Sequence, residues 1–232
     1  MFFFGNIYKQ FMTSLKLVGF KRTLDVIASR LADYIFDLRF GIDTVECIEL
    51  ENLQIQRENK ERGQRYQPTG ILPFKKLMRI LNLPPGCVLV DFGSGKGRVL
   101  LMAAQYNVKK VVGIEFSTEL CKIAMANIEK FRQKVNVAPQ IDLMEGDVSE
   151  YIFKDDENVF YFFHPFDKLI MGKVIENIAN SLVRKPRQAW LVYYLPVHRE
   201  IIEKQRSVFR KKEEYILSGY DCVVYATGNT NV

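Results

Sequence analysis

From Ile71 onward, short apolar runs alternate with segments of helical periodicity. The runs are CVLVDF, KVVGIEF, IDLMEGD, NVFYFFHPF, QAWLVYYLP, EEYILSG and DCVVYAT, and helix-like stretches such as STELCKIAMANIEKFRQ separate most of them. Strands joined by helices of this length pack as a mostly parallel sheet covered on both faces. The last two runs have only YD between them and predict an antiparallel pair. We therefore expect an α/β fold, with a doubly wound, mostly parallel seven-stranded sheet whose last strand is antiparallel.

The first part of the chain has a different pattern. Apolar residues such as Leu24, Ile27 and Leu31 recur at three- and four-residue steps, without strand punctuation, before the chain breaks at Pro68 and Gly70. The sequence predicts a helical N-terminal arm over 1–67 and an α/β domain over 68–232. The role of the arm is open between substrate recognition, dimerisation and contact with lipid.

Composition limits the classes of partner. Lys and Arg number 33 against 27 Asp and Glu, and the net charge of +6 favours an anionic ligand or surface without naming one. The four cysteines form no CxxC pair, so neither a metal site nor a disulfide framework is predicted. No window approaches the roughly 18 uninterrupted apolar residues of a membrane span. No cleavage site follows the apolar N-terminus, and we expect a cytoplasmic protein.

The first strand leads into VDFGSGKGR, which carries three glycines within five residues. Glycines at such a turn permit positive φ and let backbone N–H groups approach a ligand beyond the strand ends. A phosphate-binding P-loop is excluded because Lys96 is followed by glycine instead of Ser or Thr. A dinucleotide fingerprint is weakened because Arg98 occupies the place of its third small residue. The pattern that fits is acid-x-Gly-x-Gly-x-Gly, filled by Asp91, Gly93, Gly95 and Gly97.

This loop resembles the first motif of class I S-adenosylmethionine-dependent methyltransferases. Together with FGIDT, RYQPTG, GIEFS, GDV, FFHPFD and YYLP, it looks like a small bacterial group of these enzymes whose substrate is unassigned. DFGSGKGR and RYQPTG are also similar to loops of seven-strand protein lysine methyltransferases, where the segment before the first strand closes over the cofactor. The resemblance implies S-adenosylmethionine as cofactor. The implied acceptor is a protein amine, an RNA base or a small molecule, and we favour protein lysine.

Further acids stand at the ends of the second and third strands. Glu115 can accept from both ribose hydroxyls, in NAD or in S-adenosylmethionine, and Phe116 can pack on the adenine ring. The resemblance assigns the adenine amino group to Asp147 and the methionine part to Asp91. Tyr66 and Thr69 are candidates for a lid. The full predicted cofactor set is Tyr66, Thr69, Asp91, Gly93, Ser94, Gly95, Gly97, Glu115, Phe116, Asp147 and Val148.

The fourth strand ends in FFHPFD, which suggests where the reaction occurs. Class I methyltransferases that act on planar nitrogen often carry Asn/Asp-Pro-Pro-aromatic here, and this chain has His164, Pro165 and Phe166, which we predict to be catalytic. A neutral imidazole can accept a proton near neutral pH. Phe166 can stack on a planar base or face an alkylammonium group. The structural alternative is that His164 satisfies backbone groups and Phe166 packs in the core.

Two other classes of function stay open at this point. A nicotinamide-dependent oxidoreductase would share the glycine loop and the acid at the second strand end. A binding module without catalysis would retain cofactor affinity alone. The sequence does not reveal the acceptor or the oligomeric state.

Overall fold

The computed structural model describes residues 20–49, 51, 53, 66–136 and 139–228. The helices are α1 (Phe20–Phe40), α2 (Ile71–Leu81), α3 (Arg98–Ala103), α4 (Thr118–Arg132), α5 (Lys168–Arg184) and α6 (Arg199–Lys204). The strands are β1 (Cys87–Phe92), β2 (Val108–Glu115), β3 (Gln140–Glu145), β4 (Val159–Phe163), β5 (Trp190–Tyr194), β6 (Phe209–Leu217) and β7 (Tyr220–Thr227).

The strands form one seven-stranded sheet in the order β3-β2-β1-β4-β5-β7-β6. The first five strands pair in parallel, and β7 runs antiparallel to both β5 and β6. The predicted fold class is therefore confirmed. The chain leaves β1 toward β2 on one side and later returns to β4 on the other side. In doubly wound sheets, the carboxyl ends of the strands at such a reversal form the ligand crevice.

The connection between β6 and β7 differs from the prediction. The sequence suggested Tyr220 and Asp221 as the linker, whereas the structure turns at Ser218 and Gly219, with φ of 51° and 86°. Two consecutive positive φ values are typical of the type I′ turn, whose twist matches that of the flanking strands. Tyr220 consequently begins β7, at the tip of the hairpin.

Two hydrophobic clusters form the core, one on each face of the sheet. Every residue of β1 is buried; Leu89 belongs to one cluster, and Val88 and Val90 belong to the other. This alternation reflects the opposite directions of successive side chains in a strand. A central parallel strand covered on both faces therefore has to be apolar along its whole length.

The end of α1 packs into the first of these clusters. Phe36, Phe40 and Ile42 are buried with residues of the sheet, and the Phe40 ring lies 4.8 Å from that of Phe131, centroid to centroid. Helix α1 lies within the predicted arm, of which residues 1–19, 50, 52 and 54–65 lie outside the described ranges. Within those ranges, no helix combines the length and apolarity needed to span a bilayer.

Candidate active site

A cavity of about 270 Å³ lies beyond the carboxyl ends of β1, β2, β4 and β5. It brings together most of the predicted residues: Tyr66, Thr69, Asp91, Gly93, Ser94, Gly95, Glu115, Phe116, His164 and Pro165 all line it. These residues come from separate parts of the chain. They meet because each lies at or just after the carboxyl end of a parallel strand, or belongs to the segment before β1.

The glycine loop is shaped by the end of β2. The backbone N–H groups of Gly93 and Ser94 donate to the carbonyl oxygen of Ile114, at 2.9 and 3.1 Å. Gly95 has a φ of +54°, and a Cβ atom at this position would lie 2.2 Å from a ring carbon of Tyr66. Glycine is thus required at position 95 for its conformation and for the close approach of an aromatic ring.

Two buried carboxylates line the cavity. Burial, and then the charge of Glu115, raises the pKa of Asp91 well above its usual range. Burial also raises the pKa of Glu115, whose carboxylate accepts from the N–H groups of Gly95, at 2.8 Å, and Ser117, at 3.0 Å. Glu115 therefore holds the glycine loop in place, a role that the sequence did not suggest. A ligand that brings positive charge and hydroxyl donors would offset the cost of burying these carboxylates.

The lid candidates form one wall of the cavity. The Tyr66 hydroxyl donates to the carbonyl oxygen of Thr44 at 2.7 Å, and its ring covers Gly95. The Thr69 hydroxyl is paired with the hydroxyl of Tyr161 at 2.9 Å. The segment before β1 is thus in contact with the cavity, and its closure over a ligand stays a prediction.

Arg98 has a role that sequence reasoning missed. Its side chain is only 2% exposed, and the guanidinium group donates to the carboxylates of Asp33, at 2.7 Å, and Asp37, at 2.9 Å. It also donates to the Thr69 carbonyl oxygen at 2.9 Å and to the Thr44 hydroxyl at 2.5 Å. This residue ties the start of α3 to both α1 and the lid segment. The sequence held one signal for this role. Asp33 and Asp37 are four residues apart, so they lie one turn from each other on the same face of α1 and could both bind one cation.

His164 has an unusual backbone and an unpaired nitrogen. Its φ is +38°, and Leu195, which follows β5 as His164 follows β4, has a φ of +54°. Such conformations are uncommon for residues other than glycine and cluster at functional sites. Within the described residues, the buried Nδ1 atom of His164 has no hydrogen-bond partner. Burial, and then the nearby His198, lowers the pKa of His164 below 6.5, so the ring is neutral at neutral pH.

Replacing His198 should raise the pKa of His164. The two ring centroids are 5.8 Å apart, and loss of the second imidazole in His198→Ala removes a contribution that lowers this pKa. The chain has only two histidines, so an NMR titration of the imidazole protons follows each separately. Because the folded-state pKa is depressed, the stability contributed by neutral His164 is present above pH 6.5 and is lost as the pH falls through the folded-state value. If the NMR titration of His164 has the same midpoint in wild type and in His198→Ala, then His198 does not lower the pKa of His164.

Four predicted residues lie outside the cavity lining. Gly97 precedes α3, and a Cβ atom there would lie 3.3 Å from that of Ala124. Asp147 is exposed, and its carboxylate accepts from the Ser149 N–H at 2.7 Å. Val148 is buried in the core. The roles of Gly97, Asp147 and Val148 toward a cofactor stay predictions.

Phe166 is the fourth of these residues. It is buried in the same cluster as β4, with its ring edge-on to that of Phe162 at a centroid distance of 6.3 Å. This position supports the packing alternative, and a role of the Phe166 ring toward the methyl acceptor stays a prediction. The residue follows a proline and precedes α5, where an apolar side chain is drawn between the helix and the sheet.

Residues 69–159 match the family model described as "Histone methylation protein DOT1". This segment is less than half of the chain and runs from the lid segment through β3 to the first residue of β4. A curated relative, a protein-lysine N-methyltransferase of Saccharolobus islandicus (strain REY15A), is 38% identical over 66 residues. The aligned part covers 28% of this chain and 41% of the relative, so the chain spans about two fifths of that protein's length.

Solved structures share the fold at low identity. An RNA methyltransferase from Salinibacter ruber, in complex with S-adenosyl-L-homocysteine, is 16% identical with a TM-score of 0.50, over 71% of this chain and 96% of that one. A SAM-dependent methyltransferase from Aquifex aeolicus is 17% identical with a TM-score of 0.51, over 67% and 90% of the two chains. At these identities, the likeness concerns the fold alone.

Proposed function

We propose that this chain is a class I S-adenosylmethionine-dependent methyltransferase and that it transfers a methyl group to the side-chain amine of a protein lysine. The observation that carries the choice of acceptor is the 38% identity to a protein-lysine N-methyltransferase. The match to the histone methylation model supports it, because the matched residues include the glycine loop, β1 and the lid residue Thr69. The activity and the acceptor are both proposals for this chain.

The residues around the cavity fit S-adenosylmethionine chemically. Asp91 is a buried carboxylate with no hydrogen-bond donor among the described residues, and it would hold the cofactor's ammonium group. Glu115 would accept from the ribose hydroxyls with the lone pairs left by Gly95 and Ser117. Phe116 lines the same cavity and would pack on adenine. When bound, the cofactor supplies a methyl group on a cationic sulfur, which is a strong electrophile.

The protein has to present a neutral amine in a site closed to water. A lysine amine is protonated at neutral pH and is a nucleophile only after it loses that proton. His164 lines the cavity, its buried Nδ1 atom has no hydrogen-bond partner among the described residues, and burial lowers its pKa. The neutral ring would take the proton directly or through a water molecule. Pro165 fixes the backbone beside it and contacts the glycine loop, since a Cβ atom at Gly93 would lie 2.8 Å from that of Pro165.

Loss of the imidazole should lower turnover and spare cofactor binding. We expect His164→Ala to reduce kcat at pH 7 by roughly 100-fold, the low end for loss of a general base. We also expect the Kd for S-adenosylhomocysteine, measured by calorimetry, to stay unchanged. His164→Asn is the matched control for backbone strain, because asparagine tolerates a positive φ but is not a base. If kcat falls equally in His164→Ala and His164→Asn, and the loss becomes smaller as the pH rises, then His164 acts as a base. Full activity in His164→Asn would contradict this role.

Methyl transfer into a cell lysate tests the proposed acceptor. Tritiated S-adenosylmethionine is incubated with the protein and lysate, and the product is divided between protease and RNase treatment. We expect the label to become protease-sensitive and to appear as methyl-lysine in mass spectra of the labelled protein. Label that is sensitive to RNase would contradict the lysine proposal and indicate an RNA acceptor. If neither the protein nor the RNA of the lysate carries tritium, both macromolecular acceptors are excluded.

A further inference from the structure

One face of α1 carries an exposed apolar stripe. Its residues recur in alternating steps of four and three: Leu24, Ala28, Leu31, Ile35 and Leu38. All five are exposed, and the exposed fraction reaches 62% for Ile35 and 83% for Leu38. An amphipathic helix normally turns its apolar stripe toward the core. This stripe, which we call the α1 seam, is instead turned toward solvent.

The opposite face of α1 is bound by the rest of the chain. Phe36 and Phe40 are buried in the core, and the carboxylates of Asp33 and Asp37 accept from the guanidinium group of Arg98. Rotation of the helix about its axis would break both sets of contacts. The fold therefore cannot bury the α1 seam by turning α1 around, and the seam is available to a partner.

The spacing of the α1 seam is typical of a two-stranded coiled coil. Steps of four and three average 3.5 residues, which keeps the apolar side chains facing a second helix along its length. From Leu24 to Leu38 the seam extends for about 21 Å, at 1.5 Å per residue. A helix that lies on lipid typically borders its apolar face with Lys and Arg, whereas Asp25 stands at the edge of this narrow seam. The pattern favours another helix as the partner.

Two opposite charges stand along one edge of the seam. Asp25, Ala32 and Arg39 each directly follow a leucine of the seam, and they are spaced by seven residues, so they form one row. The ion pairs formed among the described residues involve neither Asp25 nor Arg39. Both charged residues are exposed. They are therefore free to pair with charges on the partner.

Two-fold symmetry makes this row complementary to itself. In an antiparallel pair of identical helices, the row on one helix runs beside the same row on the other in the opposite direction. Ala32 is its midpoint, so Asp25 of one copy would meet Arg39 of the other, and this pair would occur twice. In a parallel pair, the row would face the other edge of the seam, where Ile27 and Tyr34 stand, and the charges would have no partner.

We propose that α1 binds α1 of a second copy of this chain as an antiparallel, two-fold symmetric pair. The two seams face each other, and Asp25 of each copy pairs with Arg39 of the other. The dimer does not depend on the identity of the methyl acceptor, because no residue of the seam or of the charged row lines the cofactor cavity. One helix from each copy buries less surface than a standard interface, so we expect a dimer Kd in the micromolar range.

Sedimentation velocity of the full chain, from low to high micromolar concentration, tests this pairing. We expect wild type to dimerise and its Tm to rise with concentration, as mass action requires. Leu38→Glu places a charge in the seam of both copies and should weaken the dimer by at least roughly 100-fold. Its circular dichroism spectrum should be unchanged, because Leu38 is exposed in the monomer. Val183→Glu, on α5 and 69% exposed, is the matched control and should dimerise as wild type does.

An exchange of the two charges tests the orientation. Asp25→Arg and Arg39→Asp should each weaken dimerisation by about 10-fold, because each variant places like charges together at both ends of the helix pair. The double variant, with both changes, should recover the wild-type Kd because the two pairs are restored in reverse. A helix of another protein, or another segment of this chain, would not carry the compensating change and would give no recovery.

Four results would overturn the proposal. The first is a wild type that stays monomeric at every concentration, and the second is a dimer that Leu38→Glu leaves intact. The third is a double variant that dimerises no better than Asp25→Arg, which would exclude the antiparallel pair. The fourth is a monomeric wild type that co-sediments with vesicles of phosphatidylcholine and phosphatidylglycerol and loses this binding in Leu38→Glu, which would assign the seam to lipid.

Discussion

Gly95→Val is expected to weaken binding of S-adenosylhomocysteine by roughly 100-fold. A Cβ atom at this position would lie 2.2 Å from the Tyr66 ring, and the φ of +54° is unfavourable for a β-branched residue. Tyr66 is held by its bond to Thr44, so the ring has little room to retreat. A cost of about 3 kcal/mol for overpacking and strain corresponds to a roughly 100-fold weaker Kd, measured by titration calorimetry.

A matched glycine elsewhere provides the control. Gly172 lies in α5 with no atom within 4 Å of an added Cβ, so Gly172→Val should leave the Kd unchanged. The double variant Gly95→Ala with Tyr66→Ala separates two causes. Tyr66→Ala alone provides the reference for the contribution of the ring itself to binding. A smaller effect of Gly95→Ala in the Tyr66→Ala background than in wild type would place the clash at Tyr66, whereas an equal effect would place it between the loop and the ligand. Wild-type affinity in Gly95→Val would exclude the loop from the cofactor site.

Arg98→Met should lower the free energy of unfolding by about 3–5 kcal/mol, because it leaves two carboxylates without their buried partner. For a chain of this length, that corresponds to a fall in Tm of roughly 10 °C, measured by calorimetry. Arg199→Met is the control, since Arg199 pairs with Glu214 at 3.0 Å and both side chains are about half exposed. A surface pair of this kind contributes at most about 1 kcal/mol.

The carboxylates themselves provide a second test. If the loss in Arg98→Met comes from uncompensated charge, adding Asp33→Asn and Asp37→Asn should recover part of the stability, because amides are far less costly to bury. A Tm in Arg98→Met that equals that of Arg199→Met would show that the buried ion group does not stabilise the fold. A triple variant as unstable as Arg98→Met would show that uncompensated charge is not the cause and would attribute the loss to hydrogen bonds of this group, including those with Thr69 and Thr44.

The sequence predicted those candidate site residues whose position follows from the order of the strands. Asp91 and Glu115 were predicted as neighbours because they end consecutive strands of a parallel sheet, and the structure places both in one cavity. His164 was found in the same way, from the end of the fourth strand. The resemblance of DFGSGKGR and FFHPFD to methyltransferase motifs singled out Asp91 and His164, and the alternation of strands and helices placed them at one edge of the sheet. Asp147 was predicted in the same way and does not line the cavity.

Contacts between distant parts of the chain could not be predicted from the pattern of strands and helices. Arg98 meets Asp37 and Asp33 across 61 and 65 residues, and nothing in the local pattern specifies that α1 packs beside α3. Phe166 was assigned to the acceptor because of its place in FFHPFD, but burial of an aromatic ring depends on the packing of α5 against β4. Glu115 was assigned to the ribose, while its bonds to Gly95 and Ser117 depend on how the glycine loop folds back over β2.

The ion group around Arg98 has a consequence for how related chains diverge. A buried charge at position 98 is stabilised by the counterions at positions 33 and 37, and loss of the guanidinium leaves those carboxylates with only their hydrogen bonds to Thr44, Val45 and Ile71. Among homologues, these three positions should therefore covary, with substitutions that change all of them together or none. Chains that lack the equivalent of α1 lose both counterions and the surface that buries this side chain, so the residue after the third glycine should vary freely among them.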